Sequence, residues 1–194
     1  MIRFGSLVVA ALAFVALGCE ATRAPAGGSP VTGGDAAVSA DVPVRLASWE
    51  ETEKLIAGQQ GKVVVLDAWS TWCTPCVKEF PGLVKLHQQH GDKVACMSIN
   101  CNFTGAAGEK PDDARAEVER FLTTQGATFT NAISTTPDEQ LFQKLEVAAV
   151  PVVRVYDKSG KLRQQFDNDD DEYGEEGFTY EKHVSPLVEK LIAE

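Results

Sequence analysis

The sequence has little of several features that would define a function at once. Its 194 residues include only five cysteines, three histidines and two methionines. Five cysteines are too few for a small fold held together by disulfides, and one Cys-x-x-Cys pair leaves no second pair to complete a four-sulfur zinc site. The net charge of −10 argues against nucleic acid or an anionic lipid surface as the main partner.

A long apolar run is also missing. Residues 7–17 are apolar throughout and follow Arg3, but this run is shorter than the roughly 20 residues needed to span a bilayer. Such a pattern is typical of a signal peptide. Its end, residues 16–19, is similar to the lipobox of bacterial lipoproteins, with alanine in place of the usual leucine. We therefore predict a signal peptide over 1–19 and lipid modification of Cys19; ordinary signal peptidase cleavage, leaving a free thiol, is the alternative.

Two further segments follow this leader. Residues 20–41 are rich in Ala, Gly, Pro, Ser and Thr and predict a flexible linker. Residues 42–194 predict one domain, because apolar runs with strand and helix periods alternate along them. Strands are expected at 42–46, 62–69, 94–99, 147–156 and 161–166, and a short extended segment at 129–133. Helices are expected at 49–57, 77–90, 112–125, from Pro137 onward and at 179–193.

Cys73 and Cys76 lie between a predicted buried strand and a predicted helix. A cysteine pair in that context can close a small disulfide ring and reopen it. The free N–H groups and dipole at a helix N-terminus favour a thiolate, so we expect a lowered pKa for Cys73 and predict that it is the nucleophile. Cys76, one turn further in, is the predicted resolving thiol.

Other polar groups are interpreted with alternatives. Asp67 lies in an apolar strand, where burial would raise its pKa and let it accept the proton of Cys76; a strand-end aspartate facing solvent is the alternative. Cys96 is expected to be a small buried hydrophobe. Cys101 is interpreted as an auxiliary thiol, a target of Cys73 or a partner of Cys96. The acidic residues in 167–176 predict a solvated surface loop rather than a calcium site.

The segment 66–76, with Trp72 beside the first cysteine, Pro81 downstream and Val150-Pro151 before a hairpin, resembles the thioredoxin superfamily. It is most similar to the exported TlpA-like thiol-disulfide oxidoreductases. The resemblance implies an α/β thioredoxin fold, a central mixed β-sheet flanked by helices, with an inserted helix at 112–125. It implies that Asp67 is the general acid/base, that Pro151 is a cis-proline beside the disulfide, and that Val150 and Trp72 contact the substrate.

The predicted function is an exported, membrane-tethered thiol-disulfide oxidoreductase that reduces protein disulfides, in the periplasm or on the outer face of a bacterial membrane. Its expected partners are protein thiols and disulfides and an upstream membrane electron donor, with no cofactor, metal or nucleic acid. The direction of electron flow stays open. A copper carrier using Cys73 and Cys76 as soft ligands is the alternative, which the scarcity of methionine and histidine disfavours. A thiol peroxidase ranks last, since that class needs no Cys-x-x-Cys.

Overall fold

The computed structural model describes residues 42–194. The predicted signal peptide at 1–19, the predicted lipid modification of Cys19 and the predicted linker at 20–41 lie outside the described residues. Six strands form one sheet: β1 (Val44–Ala47), β2 (Val63–Trp69), β3 (Val94–Asn100), β4 (Thr130–Ser134), β5 (Val152–Tyr156) and β6 (Leu162–Phe166). Five α-helices occur within 42–194: α1 (Trp49–Ala57), α2 (Thr74–His90), α3 (Arg115–Gln125), α4 (Asp138–Leu145) and α5 (Ser185–Ala193).

The sheet is mixed, as predicted, with the strand order β1-β4-β3-β2-β5-β6. Strands β1, β4, β3 and β2 run parallel, and β5 and β6 run antiparallel to their neighbours. All residues of β2 are buried. This suits its Val-Val-Val-Leu run, because a strand in a parallel sheet with both faces covered is apolar throughout. The carboxyl ends of β2 and β3 meet at one edge, since Trp69 pairs with Asn100.

Local signals explain the first two helices. Ser48 caps α1 and forms the predicted capping box with Glu51, whose carboxylate accepts the Ser48 amide at 2.7 Å. Helix α2 starts directly after Cys73, which is its N-cap residue, and continues past Pro81 to His90. The redox pair therefore lies on the first turn of the longest helix in the described part of the chain.

The predicted inserted helix is present as α3, and it packs on α2 through aromatic rings. Trp69 of β2 lies 5.1 Å from Phe80 and 4.6 Å from Phe121 between ring centroids. Phe80 and Phe129 bring the end of the insertion to the same cluster. The segment expected only to be extended, 129–133, is a full strand of the sheet, β4. The insertion is therefore a helix and a strand built onto the core behind the redox helix.

Three boundaries differ from the expectation because of prolines. Pro111 opens a 3-10 turn, so α3 begins at Arg115 rather than at residue 112, and Asp112 pairs with Arg115 at 2.6 Å. Strand β5 begins only after Pro151, which has no N–H to donate to a sheet. The last helix, predicted as one unit, begins with a π-helical turn, Tyr180–Val184, and becomes α-helical only at Ser185. Pro186 explains this difference, since it cannot donate the α-helical hydrogen bond to the preceding turn.

Within residues 42–194, no helix combines the length and the apolar character needed to cross a membrane.

Candidate active site

Cys73 and Cys76 form a disulfide just beyond the carboxyl end of β2. A short loop, 70–72, joins this strand to α2. The exposed fractions of the two side chains are 5% for Cys73 and 3% for Cys76. Cys76, the predicted resolving thiol, is thus slightly the more covered of the two, but both cysteines are nearly buried in the oxidised protein.

The sulfur of Cys73 is contacted from two sides. The backbone N–H of Cys76 donates a hydrogen bond to Cys73 Sγ at 3.2 Å. Cys73 Sγ also lies 3.6 Å from the carbonyl oxygen of Val150. The Val150–Pro151 peptide bond is cis, as the resemblance predicts. Because Val152 pairs with Ala68 next to it in the sheet, the antiparallel register brings this loop to the end of β2.

Two tryptophans near the disulfide have opposite environments. Trp69 is fully buried in the aromatic cluster, whereas the side chain of Trp72 is 57% exposed. The exposed indole of Trp72 directly precedes Cys73 in the chain, and the Val150 carbonyl oxygen lies against Cys73 Sγ.

Asp67 is buried, with an exposed fraction of 3%, so the solvent-facing alternative is wrong. Burial raises the pKa of its carboxyl group from 3.8 to about 7. A hydrogen bond from Tyr180 opposes this rise, and the negative charge of Glu79 adds to it. The carboxyl group can therefore gain or lose a proton near neutral pH, which a general acid/base requires.

Tyr180 is the site residue that sequence reasoning missed. Its hydroxyl donates a hydrogen bond of 2.6 Å to Asp67 Oδ2, across 113 residues of sequence. The ring is buried, and burial together with the neighbouring Asp67 raises the pKa of its hydroxyl well above the ordinary value. Tyr180 therefore stays protonated and acts as a donor. No periodicity or motif around position 180 predicts this contact.

Asn102 was also missed, and it holds the loop before the disulfide. Its Oδ1 accepts the Thr71 amide at 3.0 Å, and its Nδ2 donates to Thr71 Oγ1 at 2.7 Å. Asn100 completes the group by accepting the Asn102 amide at 3.1 Å. The sequence did offer one signal for this contact. Asn102 lies directly after a predicted strand, and polar residues at the ends of neighbouring parallel strands lie close together. Asn102 thereby fixes the turn that carries Trp72 and Cys73.

We expect Asn102→Ala to lower the free energy of unfolding by about 2 kcal/mol, because the Thr71 amide loses its partner in a half-buried position. Asn102→Asp is the matched control. It keeps the acceptor oxygen, so the decrease in its free energy of unfolding, measured by urea unfolding, should be clearly smaller. Equal losses in the two variants would contradict the assignment of Asn102 as the residue that holds this loop.

Cys96 and Cys101 are both free and buried. They are not joined to each other, so that alternative for Cys101 is wrong. Cys96 is a small buried residue, as predicted, and burial raises the pKa of its thiol to about 12. The Cys101 amide continues the β2–β3 ladder by donating to the Trp69 carbonyl at 2.7 Å, and burial raises the pKa of its thiol as well. Neither thiol is in a state that favours nucleophilic attack.

The acidic segment 167–176 is largely exposed, as expected, but one of its carboxylates has a structural contact. Asp169 Oδ2 accepts the backbone N–H of Ala148 at 2.6 Å. Ala148 precedes the cis-proline by three positions. The segment thus supports the loop that carries Val150 and Pro151, which sequence reasoning did not anticipate.

Comparison with known proteins agrees with this geometry. The Redoxin family profile matches residues 36–180. The chain is similar to the thioredoxin-like protein YneN of Bacillus subtilis, at 30% identity, with 54% of this chain and 55% of that protein covered. It is similar to the thiol-disulfide oxidoreductase ResA of Geobacillus thermodenitrificans, at 26% identity, with 61% and 62% covered. The chain thus spans between about half and three-fifths of these relatives.

The fold has the same support. A crystal structure of a thiol:disulfide interchange protein of the thioredoxin family, from Chlorobium tepidum, superimposes with a TM-score of 0.54 at 18% identity, and covers 70% of this chain and 83% of that one. Together with the mixed sheet and its flanking helices, this likeness shows the predicted α/β thioredoxin fold. Because the family match extends over most of the sequence and includes the disulfide, Asp67 and Pro151, this chain belongs to the Redoxin family.

Proposed function

We propose that this protein is a thiol-disulfide oxidoreductase that reduces disulfides in protein substrates. One observation carries the proposal: the Cys73–Cys76 disulfide sits at the N-terminus of α2, with a backbone N–H donating to Cys73 Sγ. That donor and the helix dipole favour a thiolate at Cys73 once the disulfide is reduced. The similarity to ResA, a thiol-disulfide oxidoreductase, supports the same chemistry.

The reaction takes two exchange steps. The Cys73 thiolate attacks one sulfur of the substrate disulfide, a mixed disulfide forms, and the first substrate sulfur leaves as a thiolate. Cys76 then gives its proton to Asp67, and its thiolate attacks Cys73 Sγ. The Cys73–Cys76 bond forms, the second substrate thiolate leaves, and two electrons have passed from the protein to the substrate. An upstream dithiol donor returns the pair to the reduced state.

Three surrounding residues are proposed to bind the substrate. Val150 and Pro151 would align an extended substrate chain beside Cys73, since the Val150 carbonyl already lies against the sulfur. Trp72 would cover the apolar part of that chain with its exposed indole. Asp67 would act as the general acid/base because its carboxyl group titrates near neutral pH.

The proposal extends to where the protein works. The apolar run at 7–17 and the lipobox-like segment ending in Cys19 support export and a lipid anchor on the outer face of a bacterial membrane. The linker at 20–41 would let the domain reach protein substrates from that anchor. An upstream electron donor in the same membrane would then keep Cys73 and Cys76 reduced. Labelling with a radioactive fatty acid, compared between wild type and Cys19→Ala, tests the anchor.

Cys76→Ser tests the exchange chemistry directly. We expect the wild type to reduce insulin disulfides with a dithiol donor, whereas Cys76→Ser should accumulate a mixed disulfide through Cys73, because no second thiol releases it. Non-reducing electrophoresis and intact mass measure the adduct. Treatment with a small thiol should cleave this mixed disulfide by exchange.

The opposite results separate the alternatives. Insulin reduction by Cys76→Ser at the wild-type rate, with no adduct, would contradict a resolving role for Cys76. Tight Cu(I) binding by the wild type without any disulfide turnover would support the copper carrier instead.

A further inference from the structure

The buried carboxylate of Asp67 has few neighbours that favour its charge. The titratable groups that act on it, within the described residues, are Glu79 from α2, Tyr180 from the π-helical turn, Cys96 from β3 and Cys101 directly after β3. Glu79 carries the same sign of charge, and the two thiols are neutral. The hydroxyl of Tyr180 is therefore the group among these four that stabilises the ionised carboxylate, through the bond of 2.6 Å.

Tyr180 reaches Asp67 because α2 has a glycine at the crossing point. A Cβ atom built on Gly82 would lie 2.3 Å from Tyr180 Cβ and 2.4 Å from Tyr180 Cγ. Any larger residue would have to displace the tyrosine. Because Gly82 has no side chain, Tyr180 can pack directly against the backbone of α2, the helix that carries Cys76.

The turn that carries Tyr180 is held at several points. The Tyr180 amide donates to Glu79 Oε2 at 3.1 Å. Thr179 caps the turn by accepting the Lys182 amide at 3.2 Å, and its own amide donates to His183 Nδ1 at 2.9 Å. The backbone that carries the ring is therefore held by a hydrogen bond to the Glu79 side chain of α2 and by hydrogen bonds within its own turn, in addition to the bond from the ring hydroxyl to Asp67.

We propose that Tyr180 is a positioning residue for the exchange reaction, which orients Asp67 and sets the pH range in which this carboxylate takes the proton from Cys76. This inference rests on the proposed function. In the second exchange step the Cys76 proton moves to the Asp67 carboxylate, the Cys76 thiolate attacks Cys73 Sγ, and the substrate thiolate leaves. Tyr180 keeps its own proton throughout and donates its hydrogen bond to Asp67 Oδ2.

Removing the Tyr180 hydroxyl should change the pKa of Asp67 in a defined direction. Without the bond, the ionised form of Asp67 loses its donor in a buried site, so its pKa rises. A hydrogen bond to a charged group is worth enough to move a pKa by about one to two pH units. The pH midpoint for release of the mixed disulfide should move upward by the same amount, while the rate well above both midpoints stays unchanged.

The experiment compares the wild type with Tyr180→Phe and with Tyr156→Phe, a matched control in which a buried tyrosine of β5 loses its hydroxyl. The carboxyl carbon of Asp67 is titrated by NMR in the oxidised protein, without substrate. The release of a mixed disulfide with a model peptide is then followed from pH 5 to 9 in reduced protein. We expect an upward shift of about one to two pH units in both midpoints for Tyr180→Phe, and none for Tyr156→Phe.

A second variant keeps the test decisive if Tyr180→Phe does not fold. 3-Fluorotyrosine at position 180 has a more acidic hydroxyl and donates a stronger hydrogen bond, so the Asp67 midpoint should move downward. An Asp67 midpoint that is unmoved by either change would overturn the proposal. A shifted Asp67 midpoint with a lower release rate at every pH, and an unmoved release midpoint, would also overturn it. A shifted Asp67 midpoint in a protein that reduces no disulfide would support the Tyr180–Asp67 coupling and refute the proposed function.

Discussion

Cys73→Ser is expected to abolish disulfide reduction, with a loss on the order of 10³-fold or more, as for other catalytic nucleophiles. A serine hydroxyl is not ionised at neutral pH, so the helix dipole and the Cys76 amide have no thiolate to stabilise. The change should leave the fold intact, because serine is a favourable N-cap residue for α2. Insulin reduction with a dithiol donor measures the rate, and circular dichroism checks the fold.

Cys101→Ala is the matched control for Cys73→Ser. It removes a cysteine that is as buried as the redox pair but has no partner sulfur. We expect its exchange rate to equal that of the wild type. A large loss of rate in Cys101→Ala would revive the interpretation of Cys101 as an auxiliary thiol. Activity retained by Cys73→Ser would contradict its role as the nucleophile.

Asp67→Asn is expected to make the oxidised protein more stable and the reaction slower. The pKa of the buried carboxyl group is about 7 in the folded protein against 3.8 ordinarily, a difference of about three pH units. Ionising Asp67 therefore costs on the order of 4 kcal/mol above neutral pH. Asparagine avoids that cost and still accepts the Tyr180 hydrogen bond, but its buried amide protons lack partners. We expect a net gain of about 1 to 3 kcal/mol at pH 8, which is the relieved ionisation cost less the penalty for the unpaired amide protons.

The same substitution removes the proton acceptor for Cys76. We expect reduction of insulin to slow by about 10²-fold near neutral pH, the lower end of what general acid/base catalysis contributes. Because the folded pKa of Asp67 is raised, its contribution to stability is fully present below pH 3.8 and is lost as the pH rises through about 7. The stability difference between Asp67→Asn and wild type should therefore grow over this window and level off above it.

Urea unfolding at a series of pH values measures the stability part of this prediction. Asp92→Asn, which changes an exposed carboxylate after α2, is the control and should leave the unfolding free energy within about 0.5 kcal/mol. A stability difference for Asp67→Asn that is the same at pH 4 and pH 8 would contradict a raised pKa at this residue.

The features that the sequence predicts correctly depend on neighbours in the chain. The apolar run of β2, the Ser48–Glu51 box and the cysteine pair at the start of α2 each show their signal within a few residues. The local structures that these short-range patterns predict are present in the fold because tertiary contacts stabilise them. Asp67 was found for the same reason, since a carboxylate within an apolar run is expected to be buried.

The features that the sequence does not predict depend on contacts between distant segments. Tyr180 meets Asp67 across α2, where Gly82 leaves room for the tyrosine, and it does so from the π-helical turn that precedes α5. Asn102 meets Thr71 because two parallel strands end at the same level. To predict either contact, one must first know the register of the sheet and the path of a turn. A pattern within a few neighbouring residues therefore cannot predict it.

The nearly complete burial of both sulfurs limits which disulfides can react. The Cys73 thiolate must lie in line with the S–S bond that it attacks, but Cys73 is nearly buried and its sulfur lies 3.6 Å from the Val150 carbonyl oxygen. A disulfide enclosed in a folded domain has neighbours that would collide with the residues around Cys73. We therefore expect selection by shape as well as by potential: chains that are unfolded around their cystine are reduced, and those already compact are left oxidised.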